Sequence, residues 1–239
     1  LNQKKKIKKK KFNVYKNLLE RRKNNEPVAY ILRKKEFWKY NFVVSRDVLI
    51  PRPETEQIVE EVLKYIELRS SKHILDIGTG SGCILISILK ERQECHGTAI
   101  DISKKAIKVA ISNAKMHHLR NKIKFINNDI DKFIDNKYDF IISNPPYINN
   151  FNLKRLEDDI RRFEPIVALK AGTDGLKIIN KLISKSKKLL KNNGKLIFEI
   201  GDNQESFVKK ILMKNKFYIN KVCKDLQSIS RVIISTKLI

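Results

Sequence analysis

Five short apolar runs, at 73–77, 96–100, 122–126, 138–142 and 195–200, recur along the chain, with helical segments starting near 81, 103 and 174 between them. That alternation constrains the fold more than any other feature. Strands that pair in parallel need long crossovers, and a sheet covered on both faces carries unbroken apolar strands in place of a two-residue rhythm. The chain ends differently, because 217–222 and 231–236 are strand-like runs with no long helix between them. The expected architecture is α/β: a doubly wound, Rossmann-like, mostly parallel sheet closed by a C-terminal antiparallel β-hairpin.

Ahead of the sheet, residues 1–36 are charged and weakly periodic, and Tyr15, Leu18 and Leu19 give at most one short amphipathic helix. The aromatic and β-branched stretch from Glu36 to Val44 reads as a β-hairpin. It leads into Leu49-Ile50-Pro51-Arg52-Pro53-Glu54-Thr55-Glu56. There two prolines stiffen a loop, and Glu54 and Glu56 suit the first turn of a helix running to about Leu68. The implied division is a basic tail with a reduced helical region (1–36), a hairpin linker (37–53) and the α/β sheet domain (54–239).

Composition narrows the classes. With 239 residues, 41% of them hydrophobic, the chain can bury a core. No run of 18 or more apolar residues and no secretory h-region appear, so no membrane span and a cytoplasmic location are expected. Cys83, Cys95 and Cys223 are far apart and lack metal-ligand spacing, which suits reduced thiols and no metal site. Lys+Arg 51 against Asp+Glu 26 gives a formal charge of +25, which would suit an anionic partner. The lysines run through nearly every segment without interleaved stacking aromatics, however, so compositional drift explains them better and no direct nucleic-acid binding is expected. The one dense block, Lys4 to Lys11, reads as a solvated tail.

The run His73-Ile74-Leu75-Asp76-Ile77 ends in Gly78-Thr79-Gly80-Ser81-Gly82. Glycines let the backbone approach a ligand closely, but the spacing is not that of a dinucleotide binder. Asp76, just before the turn, would repel a pyrophosphate and suits a cationic group. Asp101-Ile102 at the end of the second strand is placed for ribose hydroxyls, and Asn128-Asp129-Ile130 at the end of the third for an adenine ring. Taken together, these strand ends point to S-adenosylmethionine.

The fourth strand stops at Ser143-Asn144-Pro145-Pro146-Tyr147. Two prolines remove backbone donors and leave stiff, free carbonyls, while Asn144 adds a carboxamide. The set suits gripping the two N–H bonds of a planar NH2 group. Four histidines (His73, His96, His117, His118) lie off these motifs.

With these residues the sequence resembles the class I S-adenosylmethionine-dependent methyltransferases, and within them the PrmC/HemK family of release factor glutamine methyltransferases. The likeness runs from about Asn24 to the C-terminus. It rests on Glu26-Pro27-Val28-Ala29-Tyr30-Ile31, Glu36-Phe37-Trp38, the Leu49–Glu56 stretch, the glycine turn, the Asn-Pro-Pro-Tyr box, Arg162-Phe163-Glu164-Pro165 and Gly172-Thr173-Asp174-Gly175-Leu176. The box alone is shared with adenine and guanine methyltransferases, so a nucleic-acid base remains a second acceptor class, and a binding protein without activity a third reading.

The resemblance implies an enzyme that methylates the glutamine amide in the Gly-Gly-Gln motif of class I peptide-chain release factors, supporting translation termination, as a monomer. It implies that Asp76, Gly78, Thr79, Gly80, Asp101, Ile102, Asn128, Asp129 and Asn144 hold the cofactor. Asn144, Pro145 and Tyr147 would be catalytic. Phe37, Pro51, Arg52, Pro53, Asn144, Pro145, Pro146 and Tyr147 would form the glutamine pocket. It further implies a helical N-terminal domain, of which only a remnant precedes Glu26. Asn25, Arg33 or Lys34, and the loop Asp225–Arg231 each lack a glycine that is usual in the family.

Overall fold

The computed structural model describes residues 9–135 and 137–238. Residues 4–8 of the basic Lys4–Lys11 block therefore lie outside the described residues. The chain opens with α1 (Lys9–Lys23) and α2 (Val28–Leu32), followed by the hairpin β1 (Lys34–Phe37) and β2 (Tyr40–Val43). A 3-10 turn, Pro53–Thr55, leads into α3 (Glu56–Tyr65). Then come β3 (His73–Ile77), α4 (Cys83–Glu91), β4 (His96–Asp101), α5 (Lys104–Met116), β5 (Ile123–Asn127) and β6 (Tyr138–Ser143). After β6 lie α6 (Asn150–Leu153), α7 (Asp158–Phe163), α8 (Lys177–Leu189), β7 (Leu190–Glu199), α9 (Glu205–Lys214), β8 (Phe217–Lys224) and β9 (Ser230–Lys237).

Seven strands form one sheet in the order β5-β4-β3-β6-β7-β9-β8. Pairing is parallel from β5 to β7, and β9 runs antiparallel to both β7 and β8. This is the sheet that the apolar alternation implied. Successive side chains take opposite faces. Ile74, Phe140, Ile142 and Ile197 pack into the layer built from α3, α4 and the hairpin. Leu75, Ile141, Leu196 and Phe198 pack against α8 and α9. Asp76 pairs with Ile142, and Ile142 with Ile197. The two-residue period therefore puts Asp76, Asn144 and Glu199 on the α3–α4 side.

Three expectations need correction. The N-terminal region holds two helices, and α1 is 15 residues long. Its Lys, Arg and Glu content favours helix without a strong apolar stripe, which is why periodicity underestimated it. The helix after Glu54 ends at Tyr65, not near Leu68, because Ile66 turns extended and enters the core. A helix at 205–214 precedes the terminal hairpin and escaped the sequence reading.

The three missing glycines have one physical explanation. Asn25, Arg33 and Ser228 all adopt positive φ, at 63°, 54° and 64°. Asn25 ends α1 in a Schellman turn, with Asn25 N–H donating to the Arg22 carbonyl and Glu26 N–H to the Arg21 carbonyl. Non-glycine residues thus occupy left-handed positions that glycine takes without strain.

Candidate active site

The carboxyl ends of β3, β4, β5 and β6 open into one cavity. It is lined by Pro51, Gly78, Thr79, Gly80, Asp101, Ile102, Asn128, Asp129, Asn144, Pro145 and Pro146 among the residues singled out from sequence. A second, smaller cavity lies beside it, walled by Arg52, Tyr147, Ile148, Leu156, Ile160 and Leu169. Leu49, Asn144, Pro145 and Ala168 line both. The carboxamide and the first proline of the box therefore stand in the partition between two compartments.

At the first compartment, Gly78, Gly80 and Gly82 have φ of 71°, 53° and 80°. A Cβ on Gly78 or Gly80 would meet nothing within 4 Å and would project into open space. A Cβ on Gly82 would come 3.0 Å from Ile86 Cδ1, so that glycine serves helix packing. The turn spends its own donors. Gly78 and Thr79 N–H donate to the Ile100 carbonyl, and Gly80 N–H donates to Asp101 Oδ2 at 2.9 Å. Those three N–H groups are therefore not free to cradle a phosphate.

Asp76 is fully buried behind the turn, not in the cavity wall. Its Oδ2 accepts the Thr79 hydroxyl at 2.6 Å, while Oδ1 has no partner among the described residues. Burial pushes its carboxyl up to about 7, opposed by the Thr79 bond and reinforced by Asp101. A buried acceptor without a donor is costly, and a cationic or N–H-bearing ligand at the turn would relieve it. Asp101 also accepts Ser103 N–H at 2.8 Å, and burial raises its pKa. Each of its oxygens keeps a lone pair for a hydroxyl. Ile102, 58% exposed, offers an apolar face at the cavity mouth. An orphaned carboxylate oxygen, open glycines and turn N–H groups already bonded within the protein fit the chemistry of S-adenosylmethionine.

At the partition, Asn144 Nδ2 donates to Thr55 Oγ1 at 2.9 Å. No donor among the described residues reaches Asn144 Oδ1 or the Pro145 carbonyl, so both acceptors remain available. The loop is pinned from several sides. Ser143 Oγ donates to the Ile77 carbonyl at 2.7 Å and Tyr147 Oη to Glu199 Oε1 at 3.1 Å. Gln204 Nε2 donates to the carbonyls of Tyr147 and Gly175, at 3.1 and 3.2 Å. A Cβ on Gly175 would lie 2.6 Å from the Tyr147 carbonyl, which explains the glycine at that point of its motif.

A lid closes the second compartment. Ile148 bridges to Lys170 across the base of the segment between them. Glu164 reaches back to the loop after the hairpin, where its Oε1 accepts from Arg52 at 2.5 Å and its Oε2 from Ile50 N–H at 3.4 Å. The Leu49–Glu56 and Arg162–Pro165 motifs are thus two halves of one clasp.

Not every residue singled out reaches the site. Phe37 is buried in the core against Phe42, with ring centroids 6.2 Å apart, and lines neither cavity. Pro53 opens the 3-10 turn and lines neither. Thr55 and Glu199 were not singled out, although both are buried at the site. The signal for Glu199 was an acidic residue inside the apolar run Leu196–Ile200. No helix among the described residues is long and apolar enough to cross a membrane.

A family model described as a methyltransferase domain matches residues 68–236. A release factor glutamine methyltransferase of Clostridium acetobutylicum is 39% identical over 226 residues, covering 93% of this chain and 79% of that protein. The chain belongs to the release factor glutamine methyltransferase family. A bifunctional methyltransferase of Rickettsia prowazekii is 39% identical over 238 residues, covering 92% of this chain and 46% of that longer protein. Among solved structures, a methyltransferase from Pyrococcus furiosus superposes with a TM-score of 0.62 at 18% identity, covering 93% of this chain and 99% of that one. At that identity the match speaks for the fold alone.

Proposed function

We propose that this chain transfers a methyl group from S-adenosylmethionine to the side-chain amide nitrogen of the glutamine in a Gly-Gly-Gln motif of class I release factors. One observation carries the reading: Asn144 and Pro145 line both compartments, so a carboxamide entering the smaller one meets free acceptors on the wall of the larger. Family membership supplies the substrate class.

Gly78, Thr79, Gly80 and the Asp76 carboxylate would hold the methionine end of the cofactor, Asp101 the ribose, and Ile102, Asn128 and Asp129 the base. Bound there, the cofactor supplies an electrophilic sulfonium methyl. The chain's own residues deal with the poor nucleophile, whose lone pair is delocalised into its carbonyl. Asn144 Oδ1 and the Pro145 carbonyl each accept one amide N–H, which draws the nitrogen out of conjugation and fixes its direction. Positioning of this kind is worth about 7–11 kcal/mol in well-oriented model reactions. Acceptor dipoles also stabilise positive charge as it develops on nitrogen, which sheds that charge by releasing one of its two protons to solvent. Tyr147, Arg52 and the apolar walls of the smaller cavity exclude water. The substrate is a soluble translation factor, so the reading places the enzyme in the cytoplasm, acting as a monomer.

Incubation with methyl-labelled cofactor and either a release factor or ribosomal RNA tests it. Label on the release factor glutamine is expected, and label on RNA alone refutes the reading.

A further inference from the structure

The ends of β6 and β7 leave the sheet side by side, because Ser143 pairs with Phe198. The 3-10 turn lays Thr55 across them. Thr55 Oγ1 donates to Glu199 Oε2 at 2.5 Å, a length suited to a charge-assisted bond. Tyr147 Oη donates to the other carboxylate oxygen, and Asn144 Nδ2 donates to Thr55 Oγ1. A hydroxyl has one hydrogen. Since Thr55 gives its hydrogen to Glu199, it can only accept from Asn144, which turns the NH2 end of that amide towards Thr55 and leaves Oδ1 facing the substrate.

We propose that Glu199 is a positioning residue that sets the polarity of the chain Glu199–Thr55–Asn144, so that Asn144 presents an acceptor and not an NH2 group to the substrate amide. This rests on the reading of Asn144 as the amide clamp. Glu199 lines neither cavity and acts only through its neighbours.

The polarity then depends on the charge of Glu199. Glu199 protonated on Oε2 donates to Thr55, the Thr55 hydrogen swings to Asn144, and the amide reverses. An NH2 group would then face the substrate's NH2. The groups facing Glu199 are Thr55 and Glu54 on the 3-10 turn, Tyr147 on the loop after β6, and Arg231 on β9, which is itself paired with Asp225 at 2.7 Å. Burial, at 2% exposure, raises the carboxyl to about 6, and Glu54 adds to the rise. The bonds from Thr55 and Tyr147 and the charge of Arg231 oppose it. The working polarity is therefore complete above that pH and lost as pH falls through it.

The test is methyl transfer to a Gly-Gly-Gln release factor at saturating cofactor from pH 5 to 8, with cofactor affinity and melting temperature measured alongside. The wild-type kcat should fall about tenfold between pH 7 and pH 5, following one ionisation. Glu199→Gln, a neutral isostere, should lose about tenfold or more in kcat at pH 7 with a flat profile, because the loss is of transition-state positioning and not of binding. Its cofactor affinity should match wild type at pH 8, and its melting temperature should be no lower, since a carboxamide cannot ionise in a buried site. Thr55→Val should show the same loss, and Thr55→Ser, which restores the hydroxyl, should recover the rate. Should Glu199→Gln fail to fold, the threonine pair and the wild-type profile still decide. A Glu199→Gln enzyme with wild-type kcat and profile, beside an inactive Asn144→Ala, overturns this proposal and leaves the clamp standing. An Asn144→Ala enzyme of normal rate overturns the clamp itself. A Thr55→Ser enzyme as slow as Thr55→Val reduces the network to packing and refutes the proposal.

Discussion

Asp76 and Glu199 are both carboxylates buried at strand ends of one sheet, on the two strands that flank β6, yet the protein treats them in opposite ways. Asp76 keeps one oxygen without a partner among the described residues and lies behind a turn whose glycines leave open space. Glu199 has both oxygens bonded by hydroxyls from two other segments. A half-satisfied buried carboxylate is a receptor, because a ligand completes it. A fully satisfied one is a rigid part, because it dictates where its neighbours point. On the proposed reading, the cofactor end is built to be completed and the acceptor end is already set.

The comparison breaks first at Asn144. Asn144→Ala should lower kcat about a hundredfold, roughly 2.7 kcal/mol of activation free energy, while changing cofactor affinity little. Kinetics at saturating cofactor with calorimetric titration check both halves, and a loss of less than tenfold removes the clamp.

Asp76→Asn should act on the other compartment, weakening cofactor binding about tenfold, or about 1.4 kcal/mol. The same change sharpens the contrast through stability. Burial raises the Asp76 carboxyl to about 7, above its unfolded value, so its stabilising contribution is full at low pH and lost as pH rises towards 7. A carboxamide at this position cannot ionise, so the ligand-free Asp76→Asn protein should melt higher than wild type at pH 8 and not at pH 4. Equal melting at pH 8 would mean that the carboxylate is already paired.

Asp101→Ala should weaken cofactor binding by about fivefold, close to one hydrogen bond's worth. It also removes the acceptor for Gly80 and Ser103 N–H, so the glycine turn and the start of α5 should exchange amide hydrogens faster. Unchanged affinity would free Asp101 from any ribose role. The smallest effect lies outside both compartments. Arg33→Gly relieves a left-handed residue and should stabilise the fold by about 1 kcal/mol in chemical denaturation, without touching kcat.

The parallel sheet was legible because its strands are continuous apolar runs, and the cofactor compartment because its residues sit next to those runs in sequence. Gly78 to Gly80 and Asn128-Asp129 follow strands and Asp101 ends one, and strand ends gather in this topology. The acceptor end was legible only in part. Asn144 and Pro145 announce themselves in a stiff box, but the residues that orient them come from 89 and 52 positions away, for the Asn144–Thr55 and Tyr147–Glu199 bonds. No local pattern encodes such a meeting. Phe37 was read towards the substrate because it belongs to a motif, whereas its apolar ring is spent on the core beneath the hairpin. The long α1 was underestimated because charged helix formers leave no apolar stripe to read.

The most direct measurement is tandem mass spectrometry of a release factor incubated with this protein and S-adenosylmethionine, run in parallel with Asn144→Ala. One methyl group on the side-chain nitrogen of the Gly-Gly-Gln glutamine is expected with the wild-type chain, and almost none with a variant that still binds cofactor. A methyl group on another residue, or equal modification by both proteins, would contradict the amide clamp at its root.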